Sequence, residues 1–168
     1  MGMHTAYICA GSNMGNKLFN CQNGIDAMTG SGSCVLKKQS RFYKTEPVDY
    51  QDQDWFINVV AKIETAFDPF QLLSLLNSIE RKAGRLRSSV KFGPRILDLD
   101  IIFYDDLVIN TSQLVIPHPR MHKRRFVLKP ICDIDPTIVH PVFQKDVTHL
   151  LAHLGEDGQR VVEYKCDY

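Results

Sequence analysis

The stretch Lys91-Phe92-Gly93-Pro94-Arg95-Ile96-Leu97-Asp98-Leu99-Asp100-Ile101-Ile102-Phe103-Tyr104 carries a basic, turn-forming approach into an apolar strand with two carboxylates. Side chains alternate along a strand, so Asp98 and Asp100 share one face, roughly 6.5 Å apart along the chain, and Leu97, Leu99 and Ile101 take the other. Two like charges on one face repel. They make chemical sense around a hard cation such as Mg2+, which prefers oxygen ligands and keeps water. The plain alternative is the solvated face of an amphipathic strand. Arg95 beside the acids and the Ile101-Ile102-Phe103 run weigh against it.

Upstream, Thr5 to Ala10 is a short β-compatible run, and Gly11-Ser12-Asn13 reads as the turn that ends it. Leu18, Cys21, Ile25 and Met28 fall at helical spacing after Asn13 or Asn16 as cap, and Gly30 to Ser33 closes that helix. Cys34 to Tyr43 and Trp55 to Ile63 read as a second and a third strand. The polar connection between them, Lys44 to Asp54, has no apolar period, and its length marks it as functional or mobile. Asp68-Pro69 opens a second helix, with Phe70, Leu73, Leu76, Ile79 and Ala83 as its apolar face and Gly84 as its stop. Downstream of the acidic strand, Val108-Ile109 and Leu114 to Ile116 suggest a short hairpin, and Val147 to Leu154 a short last helix. The order is βαββαβ with a C-terminal extension. It predicts an α+β, ferredoxin-like fold, an antiparallel sheet with both helices on one face. Such a fold names no function by itself.

The 168 residues, 44% of them hydrophobic, suffice for one sizeable core, so a single domain over 1–168 is expected. No apolar run reaches a membrane-spanning length and the start lacks a signal-peptide pattern, which leads us to expect a cytoplasmic protein without membrane contact. The five cysteines are odd in number and scattered, and read as reduced thiols.

A net charge of +1 argues against a nucleic-acid binder, yet the charge is uneven. Arg81, Lys82, Arg85, Arg87, Lys91 and Arg95 form a segment without an acid, and Arg120, Lys123, Arg124, Arg125 and Lys129 form another, with His118 and His122. Two basic segments flanking an acidic strand suit a compact, multiply charged anion, and solvated surface is the alternative for each. Metal ions and guanidinium groups together could hold a phosphate chain. Arg85 and Arg87 alternate so that their heads reach one side. Arg95 either contacts phosphate or pairs with a nearby acid. His118, between two prolines, reads as a phosphate donor, an acid or an ordinary surface histidine. Gly11 to Lys17 lacks the Gly-Lys-Ser/Thr end of a P-loop and is read as a turn and cap. On residue type alone, Phe56, Phe126 and Asn58 read as core and sheet residues.

The acidic stretch resembles the signature of the 6-hydroxymethyl-7,8-dihydropterin pyrophosphokinase family. So, in order along the chain, do Ala10 to Asn13, Ser40 to Pro47, Phe56-Ile57-Asn58, Ile79-Glu80-Arg81, Gly84 to Arg87, and Pro117-His118-Pro119 through Leu128. The resemblance implies transfer of pyrophosphate from ATP to a pterin hydroxymethyl group by a monomer. Asp98 and Asp100 would hold two Mg2+ ions. Arg85, Arg95, His118 and Arg124 match phosphate-contacting positions, and Glu80, Arg87 and Ile101 fall around the nucleotide. Phe56 and Phe126 would sandwich the pterin, and Asn58, Thr45 and the backbone near Glu46 and Val48 would read its edge. Lys91, Phe92, Phe56 and Pro119 depart from the commonest pattern. The Lys44 to Asp54 and Lys82 to Phe92 segments look like mobile covers. A nucleotidyltransferase or a non-catalytic nucleotide-binding module are the rival readings.

Overall fold

The computed structural model describes residues 2–84, 92–155 and 158–165. Strands β1 (His4–Ser12), β2 (Cys34–Gln39), β3 (Tyr43–Thr45), β4 (Phe56–Thr65), β5 (Asp98–Tyr104) and β8 (Val161–Glu163) form one sheet, ordered β5-β1-β4-β3-β8, with β2 also on β4. Every pairing in it is antiparallel. With β2 and β3 counted as one interrupted strand, this is the expected βαββαβ order. A separate hairpin joins β6 (Ile109–Asn110) to β7 (Val115–Ile116).

Helices α1 (Lys17–Gly30) and α2 (Pro69–Lys82) cover one face of the sheet. Asn16 caps α1, its side chain accepting from Phe19 N–H at 3.2 Å. Asp68 caps α2 more fully: its carboxylate accepts from the N–H groups of Phe70 and Gln71, while the Gln71 side chain accepts from Asp68 N–H. Gly84, at φ +93°, supplies the left-handed stop. Under these helices lie Ala6, Ile8, Ala10, Ile57, Val59, Ala61, Ile63, Leu97, Leu99 and Ile101, alternate residues of three strands. Leu72 and Leu76 are fully buried against them, each contributing about 1.5–3 kcal/mol of transfer free energy. The apolar face of α2 is rotated from the expected one. Phe70 is 40% exposed in the first turn, and Leu72 takes the buried place.

The opposite face holds the expected last helix and one that the sequence reading did not announce. Helix α3 (Arg125–Ile134) and helix α4 (Val147–His153) pack Val127, Leu128, Ile131, Ile134, Val147 and Leu150 on Tyr7, Cys9, Val60, Ile102 and Phe103. Pro130 sits inside α3, where its missing N–H reads as a breaker, although the spacing of Val127, Ile131 and Ile134 is helical. The end of α3 is fastened to the sheet by Asp135, which accepts from Tyr7 Oη and from Lys62 Nζ, and by Asp133, which accepts from Tyr43 Oη at 2.7 Å and from Arg41. Strand β8, three residues with one inward side chain, extends the sheet beyond β3.

Two boundaries differ from expectation. Gly11 and Ser12 are strand residues, paired with Asn58 and Ile57 on one side, so the turn falls one step later. The second strand breaks at Ser40–Phe42, where the Ser40 hydroxyl accepts from Val60 N–H and takes the place of a ladder bond. Where β5 meets β1 the register shifts between Tyr7 and Ile8, leaving Ile102 as an extra residue, so Ile102 and Phe103 both face α3.

Candidate active site

Helices α3 and α4 cover only part of their face. Beyond them the sheet presents Gly11, Asn58, Asp98 and Asp100, which line an open cleft of about 300 Å³. Across the strands Asp98 stands opposite Gly11 and Asp100 opposite Cys9, so small side chains leave room beside both acids. The cleft is also lined by Glu80, Arg95, His118 and Arg124 on one side and by Thr45, Glu46, Val48, Phe56 and Phe126 on the other. Of the residues named from the sequence, those eleven and Asn58 meet in one cleft. Ile101 does not. It follows a cleft-facing acid, and strand alternation sends its side chain into the core under α1 and α2. Only its backbone is left for the expected place around the nucleotide. Arg85 and Arg87 lie outside the described residues, as does most of the Lys82 to Phe92 segment that was expected to be a mobile cover.

The acids are unlike one another. Asp98 accepts a 2.6 Å bond from Arg95 Nη1, the ion pair that was one of the two readings of Arg95. Asp100 is pushed up to about 8, by burial first and by Asp98 second, with Arg124 opposing. Burial in turn pulls Arg124 below the ordinary arginine value. Glu80 is buried and accepts from Leu99 N–H at 2.7 Å, which ties α2 to the strand between the two acids. Among the described residues no third carboxylate, histidine or thiol completes a protein-only metal cage. Two carboxylates with space beside them are the donor set Mg2+ takes when water and phosphate fill the remaining positions.

His118 is held by its backbone on Ile102 O at 3.0 Å, and its Nδ1 accepts from Arg120 N–H at 3.2 Å. Burial first, then Arg124 and Arg120, pull it down to about 4, so the ring is neutral at neutral pH. With Nδ1 accepting, the proton resides on Nε2. His118 thus presents a hydrogen-bond donor, and a neutral ring favours that over a ready acid.

The amide side is built by close approach. Asn58 Nδ2 donates to Thr45 Oγ1 at 2.6 Å, and a Cβ on Gly11 would lie 2.6 Å from Asn58 Oδ1. Only glycine leaves the carboxamide that place. Arg124 stacks over Phe126 at 5.4 Å, joining the cationic and aromatic walls.

The Lys44 to Asp54 connection is not a loose cover. Gln53 Nε2 donates to Tyr50 O and Phe92 O, Asn13 Nδ2 donates to Gln53 Oε1, and Arg160 pairs with Glu46. Asn13 also brackets Arg95, with bonds of 2.8 and 3.0 Å in opposite directions. Sequence reading gave Asn13 only as a turn or cap, and Gln53 and Gln159 no role. Arg120 lines the cleft too, and its basic segment was the available signal. Cys9 and Asn77 carried none.

A family model described as 7,8-dihydro-6-hydroxymethylpterin-pyrophosphokinase (HPPK) matches residues 7–136. The 2-amino-4-hydroxy-6-hydroxymethyldihydropteridine pyrophosphokinase of Bacillus subtilis is 38% identical, over 95% of this chain and 91% of that protein. Folic acid synthesis protein fol1 of Pneumocystis carinii is 44% identical over 85% of this chain, which spans only 20% of that longer protein. Wild-type HPPK-DHPS of Plasmodium falciparum superposes with a TM-score of 0.71 at 15% identity, over 90% of this chain and 45% of that one. At that identity the last likeness concerns the fold.

Proposed function

The chain belongs to the 7,8-dihydro-6-hydroxymethylpterin-pyrophosphokinase family, and on that premise we propose that it transfers pyrophosphate from ATP to 6-hydroxymethyl-7,8-dihydropterin, giving AMP and the pterin diphosphate for folate synthesis. The observation that carries this reading is the single cleft in which Asp98 and Asp100 lie between a cationic wall and an amide-aromatic wall. In the proposed reaction the pterin hydroxyl oxygen bonds to the β-phosphorus of ATP, the bond from that phosphorus to the α,β-bridging oxygen breaks, and the hydroxyl proton is released. AMP departs with the bridging oxygen.

Asp98 and Asp100 would hold two Mg2+ ions, which supply charge neutralisation for the phosphate chain. Arg95 and Arg124 would contact the phosphate oxygens, and His118 Nε2–H would add a donor without surrendering its proton. Arg95 must then leave Asp98 at least in part, exchanging one anion for another. Phe56 and Phe126 would stack on the ring, each pair giving about 0.5–1.5 kcal/mol beyond area burial, while Asn58, Thr45 and the backbone near Glu46 and Val48 orient its edge. Arg85 and Arg87 keep their proposed roles on the phosphate and nucleotide, as do Glu80 and the backbone of Ile101. We read residues 1–168 as one monomeric, cytoplasmic unit. No described helix is long and apolar enough to cross a membrane.

The test is turnover of ATP with and without the reduced hydroxymethylpterin, in Mg2+ and in chelator, with products identified. AMP and a pyrophosphorylated pterin are expected, only with pterin and Mg2+. Free pyrophosphate with a nucleotidylated pterin would mark a nucleotidyltransferase, and ATP binding without AMP a non-catalytic module.

A further inference from the structure

Among the described residues, one buried side-chain polar atom lacks a hydrogen-bond partner, and it is Oε1 of Gln159. The orientation of that amide is fixed. Its Nε2 donates to the Glu46 carbonyl oxygen, which can only accept, so Oε1 is the arm left over. Gln159 lines the same cleft as Thr45, Glu46, Val48, Phe56 and Asn58.

The backbone that presents it is held from several sides. Arg160 N–H donates to Glu46 Oε2 at 2.8 Å, Glu46 N–H donates to Arg160 O at 3.0 Å, and the Arg160 guanidinium lies 4.8 Å over the Trp55 ring. Immediately after it, β8 pairs Val161 with Thr45, the partner of Asn58. The chain therefore places Gln159 beside the pterin wall by strand pairing, from a segment beyond the 7–136 family match.

A buried carbonyl oxygen without a donor costs free energy, and native structures keep such atoms where something else satisfies them. We propose that Gln159 is a specificity-determining residue for the pterin, its Oε1 accepting a hydrogen bond from the 2-amino group of the ring. This rests on the pterin reading above. Asn58, whose Nδ2 is committed to Thr45, offers a second amide oxygen, so two acceptors meet a ring edge rich in donors. A ring with an oxo group in place of the amino group would set acceptor against acceptor and be rejected.

The experiment compares the full chain with its Gln159→Met variant, near in shape but without the amide. KM values for ATP, for the reduced hydroxymethylpterin and for its 2-oxo counterpart are measured, with melting temperatures. The variant should raise the pterin KM about tenfold and narrow discrimination between amino and oxo rings by about the same factor, leaving the KM for ATP and the melting temperature unchanged. A pterin KM within twofold of wild type, or an equal rise for ATP, overturns the inference while wild-type AMP formation still supports the reaction. If wild type makes no AMP from the pterin, the reaction itself fails and the inference with it. Should the variant not fold, wild type binding the amino and oxo rings equally would overturn the inference, and preference of about tenfold for the amino ring would support it.

Discussion

The two faces of this sheet are made by the same strands, one residue out of step. On the face under α1 and α2, Ala10, Ile57, Leu97 and Leu99 are buried and apolar. On the other, their immediate neighbours Gly11, Asn58, Asp98 and Asp100 line a cleft. The first face is held by transfer free energy, which is tolerant of shape and intolerant of charge. The second keeps two carboxylates close together against both burial and mutual repulsion, an arrangement that costs folding free energy. Apolar burial and ionisable groups are thereby divided by strand parity.

The sharpest way to break that division is Asp100→Asn. On the cleft face it should cut AMP formation by at least about a thousandfold while the melting temperature does not fall, since Asp100, pushed up to about 8, is already largely protonated at neutral pH and the amide replaces a neutral carboxyl. Turnover near wild type in the folded variant would sink the metal-holding assignment. The converse is Leu76→Ala under the sheet, fully buried in the wild type, which should cost about 2–5 kcal/mol in chemical denaturation and leave kcat per folded molecule within about twofold. A large kcat loss there would show that the faces are not independent.

Smaller substitutions sharpen the comparison. Gly11→Ala puts a methyl 2.6 Å from Asn58 Oδ1, and should raise the pterin KM about tenfold, with little change for ATP. Equal effects on both substrates would mean that Gly11 shapes the whole cleft. The smallest effect belongs to the cover of the second face. Burial pushes Asp133 up, but hydrogen bonds from Arg41 and Tyr43 outweigh it and hold the carboxyl below its ordinary value. A carboxyl depressed in the folded state stabilises above its unfolded pKa of about 4, and that contribution fades as pH falls through the folded value. Asp133→Asn should therefore lose about 1 kcal/mol at pH 7 and show a flatter stability profile below pH 4, read by denaturant midpoints across that range.

The face under α1 and α2 was legible because its signals are local. Asp68-Pro69, Gly84 and the alternation through Asp98 and Asp100 act within a few residues. Alternation also placed the Ile101 side chain in the core, which leaves only its backbone for the nucleotide position that family likeness suggested. What stayed hidden depends on distant partners. Pro130 disguised α3, whose packing against Tyr7 and Phe103 makes it a helix despite the missing bond. Three residues of β8 are strand because β3 is there to pair with them. Asn13 and Gln53 became structural through bonds across 40 residues of chain, which no spacing rule reports. On the cleft side, acids and arginines were found by type, but only the fold showed that Arg95 rests on Asp98 and that His118 is neutral.

The extra residue at Ile102 bears on whether another strand could add to this border of the sheet. β5 lies at the border of the sheet, where unpaired backbone groups invite another strand. The irregularity at Ile102 interrupts that border, and its carbonyl is taken by His118 N–H. A second molecule seeking to add a strand there would meet an interrupted ladder and an occupied acceptor. The irregularity that turns both Ile102 and Phe103 toward α3 thus also guards this border against edge-to-edge aggregation.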